Sequence, residues 1–347
     1  MKPSKMALLT GAGFTKNFHG YLGGEMWSAI FSQPIVAESL RLRKDMLDRM
    51  DFEQSYYHVM KEDNFSPQEK ELLGKAVEKA YQEMHAVIHS MSRHDKALLK
   101  FVLREIVARF AGSGEERGFL FTLNQDLLLE TFYHDTDPVL GKFKLSIPMM
   151  DTQPWVFSQK APPHVRQRDW IRVPDEATVK ALHSQFWDGQ PEQQFCYVKL
   201  HGSYGWRSAD DSNAMVIGGE KELRISSEPI LRAYFTIFED VLRGPDCKLL
   251  IIGYGFKDPH INQRIAEAVT NHGLKVFIIS PIQPNKFCYE LGAGPEHPVN
   301  TIWNNGLHGY YRGTLQDLLD MDKLKLSSDG DGFLQKMMIS GYWKGRK

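Results

Sequence analysis

The stretch Met6–Phe18, MALLTGAGFTKNF, constrains this chain more than any other. Its first five residues read as a buried strand that runs straight into Gly11-Ala12-Gly13 and then into a segment able to start a helix. Two glycines around one alanine remove side-chain bulk, so the backbone turns sharply and approaches a ligand closely. A helix opening at this turn points free N–H groups and the positive end of its dipole at one place, where a pyrophosphate fits. A strand–Gly–x–Gly turn also occurs where a chain merely bends. What the turn means therefore depends on the rest of the sequence.

The region that follows reads as helical. Ala37–Met60 carries apolar residues at helical spacing and is expected to form one amphipathic helix. Ser66-Pro67-Gln68-Glu69 combines a cap, a first-turn proline and a glutamate three residues after the cap, so a helix should run from there to about His89. Asp95–Phe110 is a third helix, stopped by Gly112 and Gly114. These segments define an inserted helical subdomain at 35–110.

Gly118–Thr122 then reads as a buried strand, ending in Leu123-Asn124-Gln125-Asp126 before a further helix. From 135 to 194 repeated prolines dissolve the pattern, and a loop-rich insertion with short strands is expected. Phe195–Leu200 is a strand delivering His201-Gly202-Ser203. Pro229–Leu242 is a helix, and Lys248–Ile252 is an apolar strand ending in Gly253-Tyr254-Gly255-Phe256. Pro259–His272 is a helix, and Lys275–Ile279 is a strand ending at Ser280. Alternating strands and helices of this kind specify an α/β fold: a doubly wound, mostly parallel Rossmann-like sheet with a helical and a loop-rich insertion. The core is expected at 1–34 and 111–326, with 327–347 as a C-terminal tail.

Composition excludes several classes. With 347 residues the chain can bury a large core, and 42% hydrophobic with 24% charged residues is ordinary for a soluble globular protein. A net charge of −1 argues against broad electrostatic capture of nucleic acid or anionic membrane. Arg166, Arg168 and Arg172 and the tail Lys344-Gly345-Arg346-Lys347 read as solvated surface. Cys196, Cys247 and Cys288 contain no CxxC pair and offer no cysteine-rich zinc site, so no zinc is expected. The apolar run after MKPSKM is too short for a signal peptide, and no segment approaches about 20 apolar residues. A reducing cytoplasm is the expected location.

Five strand ends thus converge on one edge of the sheet, where such folds bind ligands. Each has a bland alternative: Asn124 and Asp126 as helix caps, His201 as a turn histidine, Asp258-Pro259 as a helix start, Gly253 and Gly255 as turn residues. Their joint occurrence in this order resembles the sirtuin-like (Sir2-like) family, in particular its prokaryotic NAD-hydrolysing antiphage defence branch. The matching pieces are GAGFTKNF, TLNQDLLLE, KLHGS and GYGFKDPHIN.

The resemblance implies that Gly11, Ala12, Gly13 and Thr15 cradle the phosphates of NAD. It further implies that Asn124 and His201 are catalytic, that Asp126 holds the nicotinamide end and that Ser280 lies by the adenosine ribose. Phe14, Gly253 and Tyr254 complete the expected NAD-binding set, with Phe14 helping to bury the nicotinamide. It also implies a homo-oligomer acting beside a separately encoded partner, such as a HerA-like ring ATPase or a short Argonaute. Two departures bear on the acceptor. The four zinc-binding cysteines of sirtuin deacylases are missing, and HGYLGGEMW replaces their Pro-Asp-Phe-Arg type segment, leaving the role of Glu25 open.

The chemistry of these residues agrees with cleavage of the nicotinamide–ribose bond, which builds positive charge on the ribose. Asn124 can orient a reactant without adding a full charge, and an imidazole such as His201 has an intrinsic pKa suited to taking a proton. A dehydrogenase needs a third glycine where Lys16 stands and an acidic strand end about 20 residues on, where this chain enters helices. NAD-dependent ADP-ribosyl transfer or deacylation, and a non-catalytic NAD or ADP-ribose sensor, remain as alternatives.

Overall fold

The computed structural model describes residues 2–112, 114–133, 140–142, 145–150, 171–188, 195–208, 212–290 and 297–315. In chain order, β1 (Lys2–Thr10) leads to α1 (Ala12–Lys16), α2 (Gly23–Phe31), α3 (Pro34–Ala37), α4 (Leu40–Arg49), α5 (Phe52–Lys61), α6 (Pro67–His89) and α7 (Arg93–Phe110). Then come β2 (Glu116–Thr122), α8 (Leu128–Phe132), β3 (Leu145–Ser146), β4 (Ile171–Arg172), α9 (Glu176–Ser184), β5 (Phe195–Lys199), β6 (Gly202–Arg207) and β7 (Asn213–Met215). The chain continues with α10 (Lys221–Ser227), α11 (Pro229–Leu242), β8 (Lys248–Ile252), α12 (Pro259–His272), β9 (Lys275–Ser280), α13 (Pro284–Glu290), α14 (Pro298–Thr301) and β10 (Leu307–Arg312).

Seven strands form one sheet in the order β10-β9-β8-β1-β2-β5-β3, and every pairing in it is parallel. Without the short outer β3, this is the strand order of a doubly wound dinucleotide fold, with the reversal at β1. The register levels the strand ends. Thr10 lies beside Thr122 and Ile252, Thr122 beside Lys199, and Ile252 beside Ile279. All five motif-bearing loops therefore leave the sheet from one edge. Helix α7 packs on β1 and β2, whereas α11 packs on β1 and β5. The crossovers β1-to-β2 and β5-to-β8 run in opposite directions, so the right-handed rule puts these helices on opposite faces.

The sheet is apolar because it is covered on both faces: Leu8, Leu9, Phe119, Phe121, Val198, Leu250 and Ile251 are all essentially inaccessible. Phe121 meets Phe238 of α11 edge-on at 4.8 Å, a contact contributing about 0.5–1.5 kcal/mol beyond area burial.

Two sequence expectations change. Ala37–Met60 is not one helix: Ser39 caps α4, and Asp51 accepts from the Glu53 and Gln54 N–H groups to start α5. Between them Met50 takes a left-handed conformation at φ 54°. The apolar spacing carries across the break, so periodicity alone did not mark it. In the 135–194 region, α9 is a helix capped by Asp175, with Val179 its only buried residue. A solvated helix of this kind leaves no apolar stripe to read. A second sheet, β4-β6-β7, was also unforeseen. Residues 151–170, Arg166 and Arg168 among them, the side chain of Cys288 and the tail 327–347 lie outside the described residues.

Candidate active site

The glycines of the first turn answer to another loop. A Cβ on Gly11 would lie 2.7 Å from the Gly253 carbonyl oxygen, and one on Gly13 would lie 2.7 Å from Gly253 Cα. Gly253 itself, at φ +67°, would bring a Cβ to 2.2 Å from the Phe14 nitrogen. The loops after β1 and β8 are thus in backbone contact, tied by Gly11 N–H to Ile252 O at 3.0 Å and Gly13 N–H to Gly253 O at 2.9 Å. Phe14 N–H donates to Gly11 O at 2.8 Å. Of the turn's amides, Ala12 N–H, at the first position of α1, has no acceptor within its helix.

Next to this turn runs a chain of three polar side chains. Asn124 Nδ2 donates to Gly11 O at 2.9 Å and to Thr15 Oγ1 at 2.8 Å. Thr15 Oγ1 donates in turn to Asp126 Oδ2 at 2.8 Å, and Asp126 Oδ1 accepts from Leu128 N–H at 2.9 Å. Both amide hydrogens of Asn124 are therefore spent on protein, whereas its Oδ1 accepts nothing from the described residues. Beneath Asp126, the fully buried Lys199 ammonium donates to the Asp126 carbonyl and sits 2.7 Å from Glu130 Oε1. Burial pushes the Glu130 carboxyl up, against the pull of Lys199.

Gln125, between the two site residues, is a junction. Its Nε2 donates to Val216 O at 2.7 Å and to His201 O at 3.4 Å, and its backbone carbonyl accepts from Tyr204 N–H at 2.8 Å. Its Oε1 accepts from the Tyr81 hydroxyl of α6. One turn along α6, His85 Nε2 accepts from Leu127 N–H at 3.1 Å. Burial pushes the His85 pKa down to about 3, so the ring is neutral with its proton on Nδ1.

His201 follows β5 and is buried against His260, the second residue of α12, with Nε2···Nε2 at 2.9 Å. Burial lowers His201 to about 3 and His260 to about 4, so the intrinsic value near neutrality does not survive in this setting. Asp258 stands close to both rings. Lys221 of α10 bridges it to α5, with its ammonium 2.7 Å from Asp258 Oδ1 and 2.7 Å from Glu53 Oε2. His201, Asp258 and His260 are also the one trio among the described residues whose ligand atoms approach within 4.8 Å. The Lys221 ammonium already stands on Asp258 as its cation, so this donor set does not suit a resident divalent ion.

The remaining expected residues are placed as follows. Phe14 is a core side chain, edge-on to Phe18 at 5.8 Å. The Tyr254 hydroxyl donates to Asn262 Oδ1 at 2.9 Å and accepts from Asp258 N–H at 3.2 Å, which shapes the loop after β8. Ser280 ends β9, and its hydroxyl accepts from Ile282 N–H at 3.3 Å. Glu25 accepts from Leu22 N–H at 2.8 Å to start α2 and pairs with Lys16. Cys196 and Cys247 are buried, their thiols pushed up by burial to about 11 and about 12. Sequence reasoning did not single out Gln125, His260, Lys221, Glu53 or Lys199. Gln125, Lys199 and His260 lie within quoted motifs, but nothing in the sequence joins Glu53 to Lys221.

The fold and the edge define a doubly wound nucleotide-binding protein. Glycine loops in backbone contact meet at the strand-order reversal, where Ala12 N–H has no acceptor within its helix and Asn124 Oδ1 accepts nothing from the described residues. A dinucleotide fits those features. A family model described as "SIR2-like domain" matches residues 118–291, half of the chain. The chain belongs to the SIR2-like domain family, whose members are typically NAD-dependent enzymes. The matched span carries Asn124, Asp126, His201, Gly253, Tyr254 and Ser280, while the glycine turn of β1 lies before it. No curated protein matches the sequence. No described helix is long and apolar enough to cross a membrane.

Proposed function

We propose that this protein is an NAD hydrolase that cleaves the nicotinamide–ribose bond and passes ADP-ribose to water. The observation that carries the reading is the fixed Asn124 amide, which keeps Oδ1 as a bare acceptor beside the β1 turn. A carbonyl held there orients an attacking water or a ribose hydroxyl and offers its negative end to the charge growing on the ribose. Nicotinamide leaves as a neutral molecule with the electrons of the broken bond, so no strong acid is needed. Water forms the new bond to the ribose, and its proton passes to His201, the imidazole at the adjacent strand end.

An enzyme of this kind drains a cofactor the cell cannot do without, which suits an effector of antiphage defence and demands a gate. We assign the gate to a homo-oligomer and a separately encoded partner, of the HerA-like ATPase or short Argonaute type, on the strength of the family resemblance. Exposed Leu40, Leu47 and Met50 on and after α4 offer apolar surface for subunit contact.

The test is incubation of the purified protein with NAD, alone and with a co-expressed partner, followed by chromatographic separation. Nicotinamide plus ADP-ribose supports hydrolysis. ADP-ribose attached to protein would mean transfer, and intact NAD under every condition would mean a sensor.

A further inference from the structure

The GYGFKDPHIN motif brings a second histidine to the site. His201 follows β5 and His260 lies in the first turn of α12, which follows β8; β5 and β8 are separated by β2 and β1, yet the Nε2 atoms meet at 2.9 Å with both rings buried. Two ring nitrogens at that distance share one proton: one carries N–H and the other accepts it. His201 Nδ1 makes no hydrogen bond within the described residues.

We propose that His260 is a positioning residue and proton partner for His201. It accepts from His201 Nε2–H, which leaves His201 Nδ1 as the basic nitrogen. As Nδ1 takes the proton of the attacking water, the Nε2 proton moves to His260 Nε2, and the charge comes to rest beside Asp258. The proton passes to solvent when nicotinamide and ADP-ribose leave, so hydrolysis releases one proton in all. This step rests on the hydrolase reading, while the tautomer does not.

The surroundings favour the transfer. The groups facing the pair are Asp258, Lys221, Arg264 and the Phe235 ring, which lies 5.7 Å from His260. Arg264 stacks over Phe235 and donates to the His260 carbonyl at 2.8 Å. Lys221 is shared by Asp258 and Glu53, so that trio carries one net negative charge when both carboxylates are ionised. Burial pushes the Asp258 carboxyl up, and the neighbouring imidazole and ammonium more than reverse it. A lone buried imidazole is a poor proton acceptor; paired with a second ring beside an ionised carboxylate, it has somewhere to send the charge.

The test compares His260→Gln, which can accept from His201 but cannot take the proton, with His260→Phe, which can do neither. Expected for His260→Gln is a kcat loss of about 10²-fold with KM for NAD nearly unchanged, and, because the remaining ring is the weaker base, an acid limb of the pH profile moved to lower pH. His260→Phe should lose more. Wild-type kcat and pH profile in His260→Gln would overturn the proposal. Histidine ¹⁵N spectra of the full chain, assigned with His201→Ala, provide the readout independent of turnover. Wild-type His201 should be the Nε2–H tautomer, with that preference lost in His260→Phe. An Nδ1–H tautomer in wild type overturns the inference even if NAD is cleaved. If NAD is not cleaved, the hydrolase reading fails and the spectra still decide the pairing.

Discussion

The hydroxyl of Tyr81 donates to Gln125 Oε1, joining helix α6 to the loop that carries Asn124 and Asp126. Gln125 passes the connection to the backbone of His201 and Val216. The helices between β1 and β2 thereby hold both strand ends that carry the proposed chemistry, and Glu53 adds a second tie through Lys221 to Asp258.

Tyr81→Phe removes the donor and leaves Gln125 Oε1 buried and unpaired, at about 1–3 kcal/mol in stability. Urea unfolding should register that loss, and NAD turnover should fall with little change in KM. Unaltered turnover in this variant would show that α6 does not set the loop.

Asn124→Ala and His201→Ala should each abolish NAD loss and keep the fold, by circular dichroism and melting, because both sit at strand ends rather than in the core. Thr15→Val is the sharper probe of the same chain. It keeps the shape but cuts the links from Asn124 and to Asp126, whereas Thr15→Ser keeps both. Turnover should drop about 10-fold or more in the valine variant, the equivalent of about 1.4 kcal/mol, and recover in the serine variant. Equal rates in the two would remove the hydroxyl from the mechanism.

Stability should fall as pH falls. His85 and His201 are lowered to about 3 and His260 to about 4 in the folded protein, from an ordinary 6.5. The unfolded chain therefore binds more protons across that interval, and folding stability rises with pH through it. The contribution is fully present above about pH 6.5 and is lost as pH falls towards the folded values. Urea midpoints should decline between pH 7 and pH 4.5, with a shallower slope in His85→Gln. A flat profile would contradict neutral burial of these rings.

Lys199→Met should be among the most damaging core changes, at about 3–5 kcal/mol, because it strands Glu130 without a counter-ion. The double variant Lys199→Met/Glu130→Leu should recover most of that loss in the same unfolding assay.

The sheet was legible because its strands are continuous apolar runs ending in glycine or polar turns, and β8 and α12 begin and end where their patterns do. Five motif ends could be set on one edge for the same reason. The edge strand β10, LHGYYR, mixes polar and apolar residues and was not read as a strand. Site residues that act through backbone, such as Gln125, or through a distant partner, such as Glu53, carry no local pattern. Their roles exist only once the helices dock. The purpose of the glycines was half visible: small residues were needed, but the backbone that approaches them is that of Gly253.

That glycine contact has a consequence for synthesis. Gly11 and Gly13 are synthesised well before Gly253, so the contact between their loops does not exist on a partly made chain. A nascent protein held at the ribosome has its first turn and its Asn124 but no closed site for the dinucleotide. For a protein proposed to drain NAD, that order of assembly is a safeguard written into the strand order, independent of any partner.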